Sequence, residues 1–242
     1  MIKNLLRAFA AKETVPAKRM LADRGRYKET WQHMATNLDA AKTAVAGHTD
    51  EEELDRSGLY TVDTIDRFIG INPCDTCLEI GCGVGRVGKI MSQRCERWIG
   101  ADISPSMLQY AAQRLAGLSN IELVELHSNG LPEIADSSVD LVYSTVVFMH
   151  LYEWDRYKYV VEAMRVLSPG GRCYFDNVDI MSSHGWEVFT NGFAFKPDQR
   201  PAHLSMVSTG EELQTYVQKA GFNNVHVHRW DDAWVGVTGE KP

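Results

Sequence analysis

Cys77-Leu78-Glu79-Ile80-Gly81-Cys82-Gly83-Val84-Gly85-Arg86-Val87-Gly88 is the stretch that decides how this chain folds. The residues up to Ile80 are apolar except Glu79, as in a buried strand, and Val84 opens a helical pattern. Between them the glycines supply a tight turn and leave no Cβ in the way of an approaching ligand. A strand, such a turn and a helix together aim backbone N–H groups into the crevice at the strand ends. That is a binding site for a nucleotide or nucleoside.

Working outward, short apolar runs alternate with helical patterns from Asn72 onward. Strands are expected over 76–80, 97–101, 121–126, 139–144 and 172–177, with helices over 84–93, 105–115 and 155–167. In the last of these, Tyr157, Val160, Val161, Met164 and Leu167 mark the inward face, and Pro169-Gly170-Gly171 stops the helix. A helix over 210–220 and strands over 225–229 and 233–238 follow. The alternation predicts an α/β fold: a Rossmann-like, doubly wound sheet of seven strands, mostly parallel, with helices on both faces. The Asp231-Asp232 turn leaves no room for a helix, so the last two strands should pair antiparallel at one edge. Upstream, helices are expected over 17–46 and 60–70, with Val62, Ile65, Phe68 and Ile69 on one face of the second; Thr49 or Asp50 could cap the acidic stretch 51–55. Residues 5–11 read as an amphipathic helix interrupted by Arg7, rather than a signal peptide.

Two cofactors compete for the glycine turn. Gly83-x-Gly85-x-x-Gly88 matches the dinucleotide fingerprint, which favours NAD. Glu79 argues the other way, because a carboxylate there repels a pyrophosphate and suits an ammonium and a sulfonium. Strand-ExGxGxGR resembles the signature of the class I methyltransferases, which use S-adenosylmethionine. Asp102 ends the next strand 17 residues after Gly85; in that family the acidic residue takes both ribose hydroxyls, as a carboxylate can. Ser137–Ser144, Arg165–Arg172 and Ala220-Gly221-Phe222 resemble three further family motifs in order, so the resemblance covers about residues 72–238.

The resemblance implies a cofactor-binding set. Glu79, Gly81, Cys82, Gly83 and Gly85 form the turn, and Asp102, Ile103 and Met107 follow the second strand. Asn129, Gly130 and Leu131 follow the third, where Asn129 could pair with the adenine edge and Leu131 could pack on the ring; the alternative is an ordinary Asn-Gly turn. Ser144 ends the fourth strand, and Trp31, four residues from Tyr27 on an N-terminal helix, could close over the site. The catalytic candidates are His150, a general base or else a structural histidine, and His203, which could orient an acceptor. Residues 178–208 are long enough to be a substrate-side insertion, and 1–71 to be a helical cap on a methyltransferase domain at 72–242.

Net charge is −7, with a sequence pI near 5.6, which demands no nucleic-acid surface. No apolar run approaches a membrane span. Cys74-x-x-Cys77 has no second ligand pair at zinc spacing, so no metal is expected, and five cysteines without secretory features suit thiols in a cytosol. No Asn/Asp-Pro-Pro-Tyr box follows the fourth strand, where Thr145-Val146-Val147-Phe148 stands instead. The expected activity is cytoplasmic methyl transfer to a small-molecule acceptor, with an NAD-dependent oxidoreductase or a non-catalytic S-adenosylmethionine-binding protein as alternatives. The oligomeric state is left open.

Overall fold

The computed structural model describes residues 24–242, so the amphipathic stretch expected over 5–11 lies outside the described residues. Three helices come first: α1 (Tyr27–Met34), α2 (Leu38–Ala46) and α3 (Glu51–Ile69). The helix expected over 17–46 is therefore broken at 35–37. The Asn37 side chain accepts the Ala40 N–H at 2.9 Å and starts a new helix there. Asp50 does the same for α3 by accepting from the Glu53 N–H at 2.8 Å, with Glu51, Glu52 and Glu53 on the positive end of the helix dipole. The second helix thus begins at Glu51 rather than at residue 60.

The α/β part follows as β1 (Thr76–Ile80), α4 (Gly88–Met91), β2 (Arg97–Asp102), α5 (Pro105–Arg114), β3 (Ile121–Glu125), β4 (Val139–Ser144), α6 (Glu153–Val166), β5 (Leu167–Val178), α7 (Ser183–Phe193), α8 (Gly210–Lys219), β6 (Asn223–Trp230) and β7 (Trp234–Glu240). The sheet has seven strands in the order β3-β2-β1-β4-β5-β7-β6. The first five are parallel neighbours, and β7 pairs antiparallel with both β5 and β6. Strand order reverses between β1 and β4, which places the switch-point crevice at their carboxyl ends.

Side-chain parity builds both faces. Leu78, Ile80, Val142 and Phe175 join the core that includes Val160 and Ala163 of α6. Their neighbours Cys77, Leu141, Tyr143 and Tyr174 join the opposite core, with Val62 and Ile65 of α3.

Several boundaries differ from expectation. α4 is one short turn, because the chain is still turning through Gly83 to Val87. β5 runs through Pro169-Gly170-Gly171, where Gly170 takes φ +77° and lets the strand begin at Leu167. The buried face of α6 is Arg156, Tyr159, Val160, Ala163 and Val166, while Val161 is exposed. Periodicity missed that face because its first member is a cation: Arg156 donates to the Phe148 carbonyl (2.8 Å), Ser208 Oγ (2.8 Å) and Glu212 (3.0 Å). The 178–208 stretch contains α7, started by Ser182 Oγ accepting the Gly185 N–H at 2.8 Å. Cys74 is exposed and Cys77 is buried, where its free thiol is hydrogen-bonded to the free thiol of Cys95.

Candidate active site

One cavity lies over the ends of β1, β2 and β4 and is roofed by α1 and α2. Tyr27 and Trp31 of α1 and Ala44 and Val45 of α2 line it from above. α1 is tied down by Tyr27, whose hydroxyl donates to Asp155 Oδ2 (2.5 Å) and accepts the Tyr152 N–H (3.0 Å). Gln32 bonds Ser106 at 2.9 Å, and Lys28 pairs with Glu125.

Gly81 and Gly83 line the cavity, with φ +75° and +53°. A Cβ on Gly81 would stand 2.4 Å from Val147 Cγ2, and one on Gly83 2.7 Å from Val45 Cγ1. Gly85 differs: it stands outside the lining, against Leu115, so it serves the turn rather than the ligand surface. Cys82 and Gly81 both give their N–H to the Ala101 carbonyl, fixing the turn on β2.

Asp102 ends β2 inside the cavity. Its Oδ2 accepts the Gly83 N–H and its Oδ1 the Ser104 N–H, both at 2.8 Å. Burial pushes this carboxyl up to about 6, against the pull of those N–H groups. A carboxylate has about four lone-pair sites, so two remain for a vicinal diol. Ile103 and Met107 line the cavity beside it, and Leu126 and Tyr159 close that end.

Glu79 lies on the floor, 3 % exposed. Trp98 Nε1 donates to the Tyr143 hydroxyl, which donates to Glu79 Oε2, each at 2.9 Å. Burial pushes Glu79 up to about 8, and Arg86 opposes the shift. Arg86 also lines the cavity and gives a hydrogen bond to Thr61 Oγ1 at 3.0 Å.

The β4 end supplies Thr145, Val146 and Val147, then a single 3-10 turn, Phe148–His150. His150 Nδ1 faces the His203 carbonyl at 2.9 Å. A carbonyl only accepts, so Nδ1 carries the proton and Nε2 the lone pair. Trp31 stands edge-on to the imidazole, with ring centroids 4.9 Å apart. Arg24 donates to the His150 carbonyl at 3.2 Å and also to that of Leu204. Burial pushes the imidazole down to about 3, with Arg24 adding to the shift, so it is neutral in the ordinary range.

These groups set a pH dependence. Glu79 titrates near 8 folded against an ordinary 4.5, so its stabilising contribution is complete below about 4.5 and lost as pH rises through 8. Asp176, pushed up to about 7 by burial, has the same sign. His150 has the opposite sign: its contribution is present above its ordinary 6.5 and lost as pH falls through about 3. Between roughly pH 6.5 and 8 the carboxyl groups dominate. The melting temperature of the ligand-free protein is expected to fall across that window, and Glu79→Gln to flatten the fall. A flat or rising wild-type curve would contradict the burial of Glu79 as a neutral acid.

The structure thus brings Glu79, Gly81, Cys82, Gly83, Asp102, Ile103, Met107, Trp31 and His150 to one cavity. Other expected positions stand apart from its lining. Ser144 is buried with Oγ donating to the Ile80 carbonyl at 3.1 Å. Asn129 turns to α6, where its Nδ2 donates to Asp155 Oδ1. Leu131 gives its N–H to Glu162 at 3.0 Å, and a Cβ on Gly130 would meet Lys158. These three serve the β3–β4 connection, because the acidic and basic side chains of α6 capture its backbone and amide. His203 stands outside the described lining of the cavity, and its carbonyl faces His150 Nδ1 at 2.9 Å. Sequence reasoning missed Arg86, Val45, Tyr159, Thr145 and Val146; of these, only Arg86 had a sequence signal, the residue closing the glycine motif.

A family described as a methyltransferase domain matches residues 78–175. The chain is 28% identical over 152 residues to the malonyl-[acyl-carrier protein] O-methyltransferase of Marinomonas sp., covering 61% of this chain and 52% of that protein. It is 28% identical over 171 residues to the arsenite methyltransferase of Halobacterium salinarum, covering 69% and 42%. The chain spans about half the length of the curated relatives it matches. Among solved structures, the N-methyltransferase NodS of Bradyrhizobium japonicum, in complex with S-adenosyl-L-homocysteine, superposes with TM-score 0.61 at 16% identity, over 89% of this chain and 98% of that one. With an acidic residue at the end of β2, a glycine turn after β1 and this strand order, residues 78–175 match a methyltransferase domain, and the chain has the fold of solved S-adenosylmethionine-dependent methyltransferases.

Proposed function

We propose that the chain transfers the methyl group of S-adenosylmethionine to a small-molecule acceptor by in-line displacement, releasing S-adenosylhomocysteine. The observation that carries this reading is the cavity itself, with an N–H-braced carboxylate, Asp102, at one end and a neutral imidazole, His150, at the other. When bound, the cofactor supplies an electrophilic methyl that needs no further activation. Asp102 then holds the ribose diol, and Glu79 meets the cationic amino-acid end from the floor. Tyr27 and Trp31 exclude water from above, which preserves alignment of the two reactants. His150, held neutral by burial, orients the acceptor from the cavity wall rather than acting as a strong base, and the acceptor's proton leaves to solvent.

The relatives and the neighbour named above differ in acceptor, so the acceptor class follows from the cavity. Thr145, Val146, Val147, Leu151 and Trp31 give the wall beside His150 no charge of its own, and the charges nearby, Arg24 and Arg86, are cations. An acceptor without positive charge at its reacting end suits that wall. Within the segment 1–71, α1 and α2 act as a helical cap, supported by their place in the lining, and 178–208 acts as the acceptor-side segment, supported by the His203 carbonyl on His150. No helix among the described residues is long and apolar enough to cross a membrane; the cytosolic placement rests on the free cysteines.

Calorimetry separates the cofactors. S-adenosylhomocysteine is expected to bind and NAD not to, since a ligand ammonium beside Glu79 draws it to the carboxylate form whereas a pyrophosphate keeps it neutral and unpaired; NAD binding without the thioether ligand would overturn the proposal. Consumption of labelled S-adenosylmethionine across neutral and charged acceptors tests the acceptor class.

A further inference from the structure

Asp176 is a carboxylate near the carboxyl end of β5, 4 % exposed and outside the cavity lining. Its Oδ1 accepts the Val146 N–H at 2.8 Å, and its Oδ2 the Tyr174 hydroxyl at 3.2 Å. Val146 has φ +62°, a left-handed conformation that a β-branched residue adopts only when its surroundings impose it. The next residue, Val147, packs against Gly81 at the place where a Cβ would stand. The 3-10 turn carrying His150 starts immediately after, with the His150 N–H on the Val147 carbonyl at 2.9 Å. The strained residue is therefore the link between the cofactor turn and the acceptor side, and a buried side chain on a different strand anchors its amide.

We propose that Asp176 is a positioning residue: by holding the Val146 N–H it keeps the 145–147 turn left-handed, seats Val147 on Gly81 and aims His150 into the cavity. The inference rests on the methyltransferase reading of that cavity. Without the bond, Val146 relaxes to negative φ, and the 145–147 wall swings away from Gly81. Arg86 is the cation facing Asp176 and also faces Glu79, so the anchor shares its counter-charge with the cavity floor.

The test is calorimetric titration of S-adenosylhomocysteine into wild type, Asp176→Ala, Asp176→Asn and Asp176→Ala with Val146→Gly, with thermal melting to confirm that each is folded. Asp176→Ala is expected to bind about tenfold more weakly or worse, as for loss of a buried hydrogen bond to a charged group. Asp176→Asn keeps an Oδ1 acceptor in the same place and should stay within about threefold of wild type. The double variant should bind more tightly than Asp176→Ala alone, because glycine adopts φ near +62° without an anchor. Asp176→Leu, of similar volume and without an acceptor, replaces the alanine variant if that one does not fold. Hydrogen exchange at the Val146 amide reads the bond directly and should accelerate in the alanine or leucine variant only. Normal binding by Asp176→Ala, equal losses in the Asn and Ala variants, or a double variant no better than Asp176→Ala would each overturn the proposal. If wild type itself does not bind S-adenosylhomocysteine, the cofactor reading fails instead, which is a distinguishable result.

Discussion

Asp102→Ala is expected to weaken S-adenosylhomocysteine binding by roughly 10- to 100-fold, the equivalent of about 1.5–3 kcal/mol for hydrogen bonds to a charged group. The structure makes the loss larger than that of two ribose contacts alone. Asp102 also braces the Gly83 and Ser104 N–H groups, so the substitution leaves two backbone donors without their partner beside the ligand. The Gly83 turn then loses its attachment to β2 apart from the two N–H groups on the Ala101 carbonyl. Asp102→Asn keeps one carbonyl oxygen and should fall between wild type and alanine. Titration by calorimetry measures all three, and unchanged affinity in a folded alanine variant would show that the ribose lies elsewhere.

The largest expected effect on stability is at Arg156. This guanidinium is 1 % exposed and fans out to the Phe148 carbonyl, Ser208 and Glu212, joining the turn before His150 to α8. Breaking a buried pair from one side costs about 3–5 kcal/mol; Glu212 is 25 % exposed, but the Phe148 carbonyl and Ser208 hydroxyl stay buried without their donor. At about 2–4 °C per kcal/mol for a chain of this size, Arg156→Ala is expected to lower the melting temperature by on the order of 10 °C. Lysine should not restore it, since one ammonium cannot reach three diverging acceptors as a planar fork does. A melting curve within about 2 °C of wild type would mean that the network contributes little.

The parts legible in the sequence were those set by local chemistry. Alternating apolar runs predicted the strands and the parallel sheet, and the glycines with Glu79 and Asp102 predicted the crevice. Asp50 was legible as a cap because an acidic first turn follows it. What escaped has physical reasons too. Asn37 starts a helix inside a stretch whose composition favours one unbroken helix. Arg156 hides in the helical pattern because a buried cation scores as a surface residue. Asn129 sits at a position that suits adenine, yet Asp155, 26 residues later, captures its amide. Tyr159 and Val45 reach the cavity because of how helices pack, which periodicity along one helix does not encode. The left-handed Val146 leaves no signature at all, since nothing in Thr-Val-Val-Phe asks for positive φ.

The position of β7 has a consequence for the order in which the protein is made. β7 lies between β5 and β6, although it is the last strand in the chain, and its register with β5 runs from Arg172↔Glu240 to Val178↔Trp234. On the ribosome, β1 to β5 emerge first and can assemble the nucleoside crevice early, since domains form from the N-terminal side at about 5–20 residues per second. Until residue 240 has been synthesised, however, β5, the strand that carries Asp176, presents an open edge of unpaired N–H and C=O groups. The interval between translation of β5 and translation of β7 is therefore the period in which the nascent chain is most exposed to pairing with another chain.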